Sequence, residues 1–181
     1  MMNHVKKACV KEGIKEVIFI SSTSVYGNLH GIITEKSNTE PETNSGKQLL
    51  QCEKLLSDSV HFNTTILRMG GLIGADRHPV FQLSKKEFVT NPKGSINLIH
   101  LTDCINIIGS LINQIIVKNV YNCVTPYHPN RVKYYTQMAI QMGCNPPKFR
   151  DSITFDRKIS SKKLQEKFNY AFRVINLLIS S

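Results

Sequence analysis

The sequence predicts an α/β fold built on a parallel sheet, and three observations carry this prediction. Short runs of β-branched and apolar residues, typical of buried strands, alternate with longer amphipathic stretches that are typical of helices. One such run, residues 17–20, ends in a row of small hydroxyl residues, as expected where a parallel strand opens into a loop. Finally, 41% of the 181 residues are hydrophobic and 20% are charged, which is a globular balance.

The elements follow in order from periodicity and capping residues. For the first half we predict a helix over 1–12 ended by Gly13, a strand over 17–20, a polar loop over 28–44, a helix over 45–57 capped by Asn44 or Ser45, and a strand over 64–67 closed by Arg68. For the middle of the chain we predict a loop over 70–79, a short helix over 79–86 and a strand over 95–99. A helix capped by Thr102 or Asp103 follows, with apolar residues through Ile115 and Ile116, and then a strand over 120–124. The last third is predicted to form a helix from Asn130 to Gly143, irregular chain over 144–156, and a short basic helix from Ser160 or Ser161 to about Phe168.

The most informative segment is Ser-Ser-Thr-Ser-Val-Tyr-Gly at residues 21–27. Open α/β sheets bind ligands at the carboxyl ends of their strands, so these hydroxyls are placed to touch a substrate. Three later segments share the same order and spacing as a known family: Thr34-Glu35 with Pro41, the stretch 66–74, and Asn-Leu-Ile-His-Leu-Thr-Asp at 97–103. Together they resemble the extended short-chain dehydrogenase/reductases, also called the NAD-dependent epimerase/dehydratase family, from about residue 10 to about residue 175.

The resemblance implies a Rossmann-like parallel sheet and NAD or NADP as cofactor. The family's glycine-rich coenzyme loop follows the first strand of its sheet, whereas residues 1–12 match the helix before the fourth strand. We therefore expect residues 1–181 to be a single partial Rossmann-like domain lacking its first strands, with doubtful NAD(P) binding by this chain alone. A small C-terminal substrate-binding part is expected mainly from residues 70–95 and 125–180.

The family's catalytic pair is absent at the matching positions. Its catalytic helix begins Tyr-x-x-x-Lys, and the alignment puts Ser45 at the Tyr position and Leu49 at the Lys position. Ser22 matches the family's catalytic Ser/Thr. Because a serine hydroxyl is a far weaker acid than a phenol, whose reference pKa is about 10, we expect little or no turnover.

The remaining candidate site residues come from the same comparison. Ser21 and Ser22 are predicted to contact the cofactor, and Ser22 alone remains as a catalytic group. Arg68, Arg77 and Arg131 are candidates for binding an anionic ligand, because a guanidinium can bind a diphosphate through two parallel hydrogen bonds. A structural ion pair for Arg68 and Arg77, or a charge at the start of a helix for Arg131, explains these residues equally well. The full predicted substrate-binding set is Thr23, Ser24, Tyr26, Arg68, Arg77, Asn97 and His100.

Charge and cysteine content narrow the classes of partner. The net charge is +10, and residues 131–181 hold ten Lys or Arg against three acidic residues. This excess suits a solvated surface, a phosphate-bearing small metabolite or, less well, nucleic acid, for which no aromatic stacking pattern is present.

Five widely spaced cysteines without a C-x-x-C pair predict reduced thiols in a cytoplasm, and the isolated histidines predict no metal site. No apolar run is long enough for a membrane span, and no secretory signal is expected.

Three functions remain open from the sequence. The first is an epimerase/dehydratase-like protein that acts on or binds a nucleotide-sugar-type metabolite. The second is a non-catalytic pseudoenzyme that binds a metabolite or a partner. The third is a basic nucleic-acid-binding protein. In each case, an exposed apolar edge at strand 17–20 predicts self-association.

Overall fold

The computed structural model describes residues 2–74, 77–112, 114, 118–151 and 156–178. Within these ranges, seven strands and six helices alternate along the chain. The strands are β1 (Glu16–Ser22), β2 (Gly31–Ile33), β3 (Asn63–Met69), β4 (Gly71–Ile73), β5 (Leu98–His100), β6 (Asn119–Cys123) and β7 (Arg157–Ile159). The helices are α1 (Met2–Lys11), α2 (Asn44–Ser57), α3 (Val80–Leu83), α4 (Leu101–Ile112), α5 (Arg131–Gln141) and α6 (Lys162–Phe168).

The main sheet is parallel and has the order β1-β3-β6. The register pairs Glu16 with Asn63 and Ser22 with Met69, so β1 and β3 run side by side over their whole length. β3 is the central strand and is buried from Thr64 to Met69, as its β-branched and apolar sequence predicts. β1 pairs with β3 alone among the described strands, and Ile20 is 45% exposed.

Two further parallel pairs were missed by the sequence analysis. β2 pairs with β7, and β4 pairs with β5. Residues 31–33 and 71–73 were predicted as loop, and those predictions are wrong; residues 157–159 had been assigned to no element. Each of these strands is three residues long, too short for alternation to separate a strand from a loop.

Three apolar cores hold the elements together. The first packs the main sheet against α4 and the end of the chain and includes Leu67, Ile107 and Phe172. The second joins α3, α5, β4 and β5 and includes Val80, Tyr134 and Leu177. The third lies below the 3₁₀ turn at Thr23–Tyr26 and includes Val25 and Ile159. The turn that follows β1 is therefore anchored by core residues on its underside.

Gly27 closes this turn in a conformation that requires glycine. Its φ is +60°, and a Cβ built there would overlap the carbonyl oxygen of Glu40. The glycine of the Ser-Ser-x-x-Val-Tyr-Gly motif is thus needed to let the loop over 28–44 cross the end of β1.

The helix boundaries differ from the sequence prediction at the starts of α2 and α4 and at the end of α3, which stops at Leu83 and not at Lys86. α2 begins at Asn44 with Thr43 as N-cap, whose hydroxyl accepts a hydrogen bond from Gly46 N at 3.1 Å, so the prediction of Asn44 or Ser45 is wrong. α5 is capped by Asn130 through Lys133 N, as predicted, and Gly143 follows its end with φ +66°.

α4 begins at Leu101 rather than after Asp103. Asp103 instead turns inward, and its carboxylate accepts hydrogen bonds from Tyr170 Oη at 2.7 Å, Arg173 N at 2.8 Å and Val174 N at 3.1 Å. Asp103, which was predicted as a helix cap, therefore fastens the C-terminal segment to α4. The predicted apolar residues Ile115 and Ile116 lie outside the described residues.

The predicted bounds of α6 are confirmed, because the helix runs from Lys162 to Phe168 with Ser161 as its N-cap residue. The Ser161 side chain does not cap the helix, because its hydroxyl donates to Val124 O at 2.7 Å and accepts from Val124 N at 2.8 Å. Ser161 therefore joins α6 to the end of β6. No helix among the described residues is both long and apolar enough to cross a bilayer.

Candidate functional site

The carboxyl end of β1 opens into a cavity of about 580 Å³. One wall is the row Ser22, Thr23 and Ser24, and the facing wall comes from α5 and β7. We call this cavity the hydroxyl cleft; its other lining residues used below are Asn97, Arg131, Tyr135 and Arg157. The cleft lies where an open parallel sheet is expected to bind ligands.

Ser22 both shapes the turn and faces the cleft. Its backbone is extended, at φ −135° and ψ 150°, and its Oγ accepts a hydrogen bond from Ser24 N at 3.1 Å. An accepting hydroxyl keeps its own proton and can donate it to a ligand. Ser22 can therefore cap the turn after β1 and contact a ligand at the same time.

Asn97 lies on the floor of the cleft and holds β7 in place. Its Nδ2 donates to Arg157 O at 2.9 Å, and its Oδ1 accepts from Ile159 N at 2.8 Å. These bonds use one donor and one acceptor position of the amide, which has two of each. Asn97 therefore positions the Arg157 wall of the cleft, and its remaining amide proton is left for a ligand.

Two arginines supply the cleft's positive charge. Arg131 begins α5, and its guanidinium lies 5.6 Å from the centre of the Tyr135 ring. Its buried Nε has no hydrogen-bond acceptor among the described residues. Arg157 donates through Nη1 to Gly27 O, and burial lowers the pKa of its guanidinium, partly offset by Glu42. Both arginines come from the basic C-terminal third; Arg157 escaped the sequence analysis because its strand was not predicted.

Three predicted site residues belong instead to a buried polar network below the cleft. Glu53 of α2 accepts hydrogen bonds from Ser21 Oγ at 2.6 Å and from Arg68 Nε and Nη2 at 3.1 and 2.7 Å. Arg68 Nη1 donates to Tyr26 Oη at 2.9 Å, and that phenol donates to Asn122 Oδ1 at 2.8 Å. Ser21, Tyr26 and Arg68 therefore have internal partners, and none of them lines the hydroxyl cleft.

The charge state of this network follows from burial and pairing. Burial raises the pKa of Tyr26, although Arg68 opposes the rise, so the phenol stays protonated. For Arg68, burial alone would lower the pKa, but the bonds to Glu53 and Tyr26 raise it overall. The network thus holds one fixed ion pair and a neutral phenol, which suits a support for β1 and not an acid/base pair.

The positions that replace the family's Tyr and Lys lie outside the cleft lining. Ser45 is exposed in the first turn of α2, with its Oγ 3.2 Å from Thr43 Oγ1. Leu49, one turn later, packs against the third core. Neither side chain brings an ionisable group to Ser22.

Arg77 and His100 also lie apart from the hydroxyl cleft. Arg77 is exposed and its backbone pairs with Gly74 in an isolated bridge. His100 accepts a hydrogen bond from Thr102 N at 3.2 Å through Nδ1, beside the start of α4. His100 therefore has a local backbone partner at the start of α4.

The described residues fit only part of a dinucleotide site. Ser21, predicted to contact the cofactor, is 4% exposed and its hydroxyl is bonded to Glu53. Ser22 alone of the predicted pair faces the cleft.

Comparison with solved structures identifies the fold. The UDP-glucuronic acid 4-epimerase of Bacillus cereus, solved with NAD, superposes with a TM-score of 0.81 over 96% of this chain and 61% of its own, at 19% identity. A protein of unknown function from Silicibacter pomeroyi gives 0.81 over 97% of this chain and 68% of its own, at 16% identity. The chain has the Rossmann-like α/β fold of these structures. The predicted Rossmann-like α/β class is thereby confirmed.

A curated sequence relative is nearer in sequence than these structures. Protein YeeZ of Escherichia coli K12 is 40% identical over 142 residues, which is 77% of this chain and 51% of YeeZ. The chain therefore spans about half the length of the curated relatives it matches. No protein-family model matches the chain.

Proposed function

We propose that this chain is part of an NAD(P)-dependent epimerase/dehydratase-like protein that binds a nucleotide-sugar-type metabolite in the hydroxyl cleft. The observation that carries the proposal is Arg131, whose guanidinium has no carboxylate within 4.0 Å among the described residues and whose side chain lines the same cavity as Ser22. An arginine without an internal counter-ion can pair with an anionic ligand. A diphosphate offers paired oxygens that match the guanidinium fork.

The cleft suits such a ligand at both ends. Arg131 and Arg157 favour phosphate at one wall, while Ser22, Thr23 and Ser24 offer hydroxyl contacts to a sugar at the other. A volume of about 580 Å³ lies within the ordinary range of small-molecule sites. A neighbour of the same fold, MoeE5, was solved with UDP-glucose and NAD, which supports the substrate class.

We further propose that binding occurs with little or no turnover. Ser45 and Leu49 provide neither a phenol nor an ammonium. Burial raises the pKa of Tyr26 and keeps it neutral, and its hydroxyl is already bonded to Arg68 and Asn122 inside the protein. Loss of a general acid/base typically lowers a rate by about 10²–10⁴-fold. NAD or NADP remains the proposed cofactor, with this chain supplying Ser22 on one side of its site.

The test is calorimetric titration of the protein with UDP-glucose. Arg131→Gln should raise the dissociation constant about tenfold or more, because it removes a charge-assisted contact to phosphate. Arg150→Gln is the matched control: Arg150 is exposed, lies over the Phe88 ring and does not line the cleft, so its change should leave the affinity nearly unchanged. Equal weakening by both substitutions, or no binding of UDP-glucose by the unmodified protein, would contradict the proposal.

A non-catalytic binding protein is the second candidate, and the positions of Ser45 and Leu49 favour it. The two candidates separate in one experiment: the protein is supplied with UDP-glucose and either NAD or NADP, and the products are analysed by mass spectrometry. A changed sugar supports slow catalysis, whereas binding without product supports the pseudoenzyme.

We also propose self-association through β1 and residence in a reducing compartment such as the cytoplasm. β1 is paired on one side only among the described strands, and such an edge is a template for another strand. The five cysteines are all free thiols. Light scattering over a concentration series tests the first proposal, and a constant monomer mass would refute it.

A further inference from the structure

A second cavity, of about 960 Å³, lies on the opposite edge of the main sheet from β1. It is bounded by the start of β6, by α6 and by the loop after β2. Five lysines line it together with two glutamates, and we call it the lysine hollow: Lys36, Lys118, Lys162, Lys163 and Lys167, with Glu35 and Glu166. It shares no lining residue with the hydroxyl cleft.

The two glutamates are already engaged. Glu35 Oε1 accepts a hydrogen bond from Asn122 N at 2.8 Å. Glu166 lies 3.6 Å from Lys162 across one helical turn, in an exposed pair. The other four lysines have no carboxylate within 4.0 Å among the described residues. The hollow therefore carries an excess of positive charge that its own acidic groups do not neutralise.

Lys163 is the fixed cation of the hollow. Its Nζ donates to Asn119 Oδ1 at 2.5 Å and to Val120 O at 2.8 Å, and it lies 5.0 Å from the centre of the Tyr121 ring. Both acceptors are neutral, so they orient the ammonium without cancelling its charge. An ammonium has three donors, and the third is free for an anion.

Lys167 adds a positive charge to the lysine hollow and, by repelling Lys163, lowers the stability of α6. It follows Lys163 by four residues, so the two ammonium groups lie on one helix face and repel each other. A negatively charged ligand between them would convert this repulsion into attraction. Lys118 lies at the mouth of the hollow, on the residue before β6.

We propose that the lysine hollow binds a phosphate-bearing small molecule, separately from the metabolite in the hydroxyl cleft. The hollow is concave, and its hydroxyl lining, which includes Thr34 and Ser160, suits phosphate oxygens. A nucleic acid strand fits less well. Glu35 and Glu166 would face its backbone, and the lining offers no aromatic platform for base stacking.

The probe for this proposal is inorganic tripolyphosphate, titrated into the full chain by calorimetry. Lys118→Gln with Lys167→Gln should raise the dissociation constant of tripolyphosphate about tenfold or more. Both side chains are exposed, so the double variant is expected to fold normally, and an unchanged melting temperature checks this. Lys85→Gln with Lys86→Gln removes the same charge from exposed positions outside both cavities and should change the affinity less than about twofold.

Several results would overturn the proposal. Equal weakening in the two double variants would mean diffuse attraction by net charge. Weakening by Arg131→Gln but not by Lys118→Gln with Lys167→Gln would place tripolyphosphate in the hydroxyl cleft. No binding at millimolar tripolyphosphate, or tight binding of a single-stranded oligonucleotide that tripolyphosphate does not displace, would also refute it. Because UDP-glucose is titrated separately, failure here leaves the function proposed for the cleft unaffected.

Discussion

The buried ion pair between Glu53 and Arg68 gives the sharpest test of how β1 is supported. Their side chains are about 4% and 7% exposed, and the Oε2–Nη2 distance is 2.7 Å. Glu53→Gln keeps the volume but removes the charge, leaving the Arg68 guanidinium buried without a counter-ion. Removing one partner of a buried pair costs about 3–5 kcal/mol.

This free energy converts into a large shift in melting temperature. For a domain of this size each kcal/mol corresponds to about 2–4 °C, so Glu53→Gln should lower the melting temperature by about 6–20 °C. Circular dichroism during heating is the assay. The matched control is Glu166→Gln, which breaks an exposed pair with Lys162 and should change the melting temperature very little.

A double-mutant cycle shows whether the loss comes from the pair itself. Glu53→Leu with Arg68→Met removes both charges, so no uncompensated ion remains. We expect the double variant to be more stable than the sum of the single effects predicts, by about 2 kcal/mol or more. A Glu53→Gln protein that melts within about 2 °C of the unmodified protein, or an additive cycle, would refute the reasoning.

Three further predictions follow from single sites. Burial lowers the pKa of His78 from 6.5 to about 4. The neutral ring therefore contributes up to about 3 kcal/mol to the free energy of unfolding, which is present above pH 6.5 and is lost as the pH falls towards 4. His78→Asn should flatten the fall in melting temperature between pH 6.5 and pH 4, and an unaltered pH profile would contradict this. Gly27→Ala should destabilise the protein by about 1–3 kcal/mol in denaturant unfolding, because φ is +60° and the Glu40 carbonyl occupies the Cβ position; an unchanged midpoint would count against it. Ser45→Tyr with Leu49→Lys should give no NAD(P)H turnover in this chain, and measurable turnover by that variant alone would disprove it.

The predicted fold class is confirmed by the structure because it rests on the longest strand and helix patterns in the sequence. β1, β3 and β6 are β-branched and apolar runs of five to seven residues, and the capping residues of α5 are local in sequence. Local patterns of this kind need no knowledge of distant partners. β2, β4 and β7 are three-residue strands that exist only because each finds a partner far along the chain, so they escaped prediction.

The sequence predicted only one wall of the hydroxyl cleft, the wall formed by Ser22, Thr23 and Ser24. The hydroxyl row at Ser22 can be read from the sequence, because it follows a buried strand directly. The opposite wall is lined by Arg131 of α5 and Arg157 of β7, which are both distant in sequence from that strand. Arg68, by contrast, was predicted to close its strand as a candidate ligand-binding arginine, but it lies within β3 and its guanidinium is paired with Glu53 of α2.

The sequence by itself determined the alternation of strands and helices, the hydroxyl-rich end of β1 and the absence of the family's Tyr and Lys from positions 45 and 49. Only the tertiary structure decided which polar residues are free to meet a ligand. Serine, tyrosine, arginine and asparagine carry the same donors and acceptors in a cleft as in a core. Whether those groups already have partners depends on residues as many as 130 positions apart, as between Arg157 and Gly27.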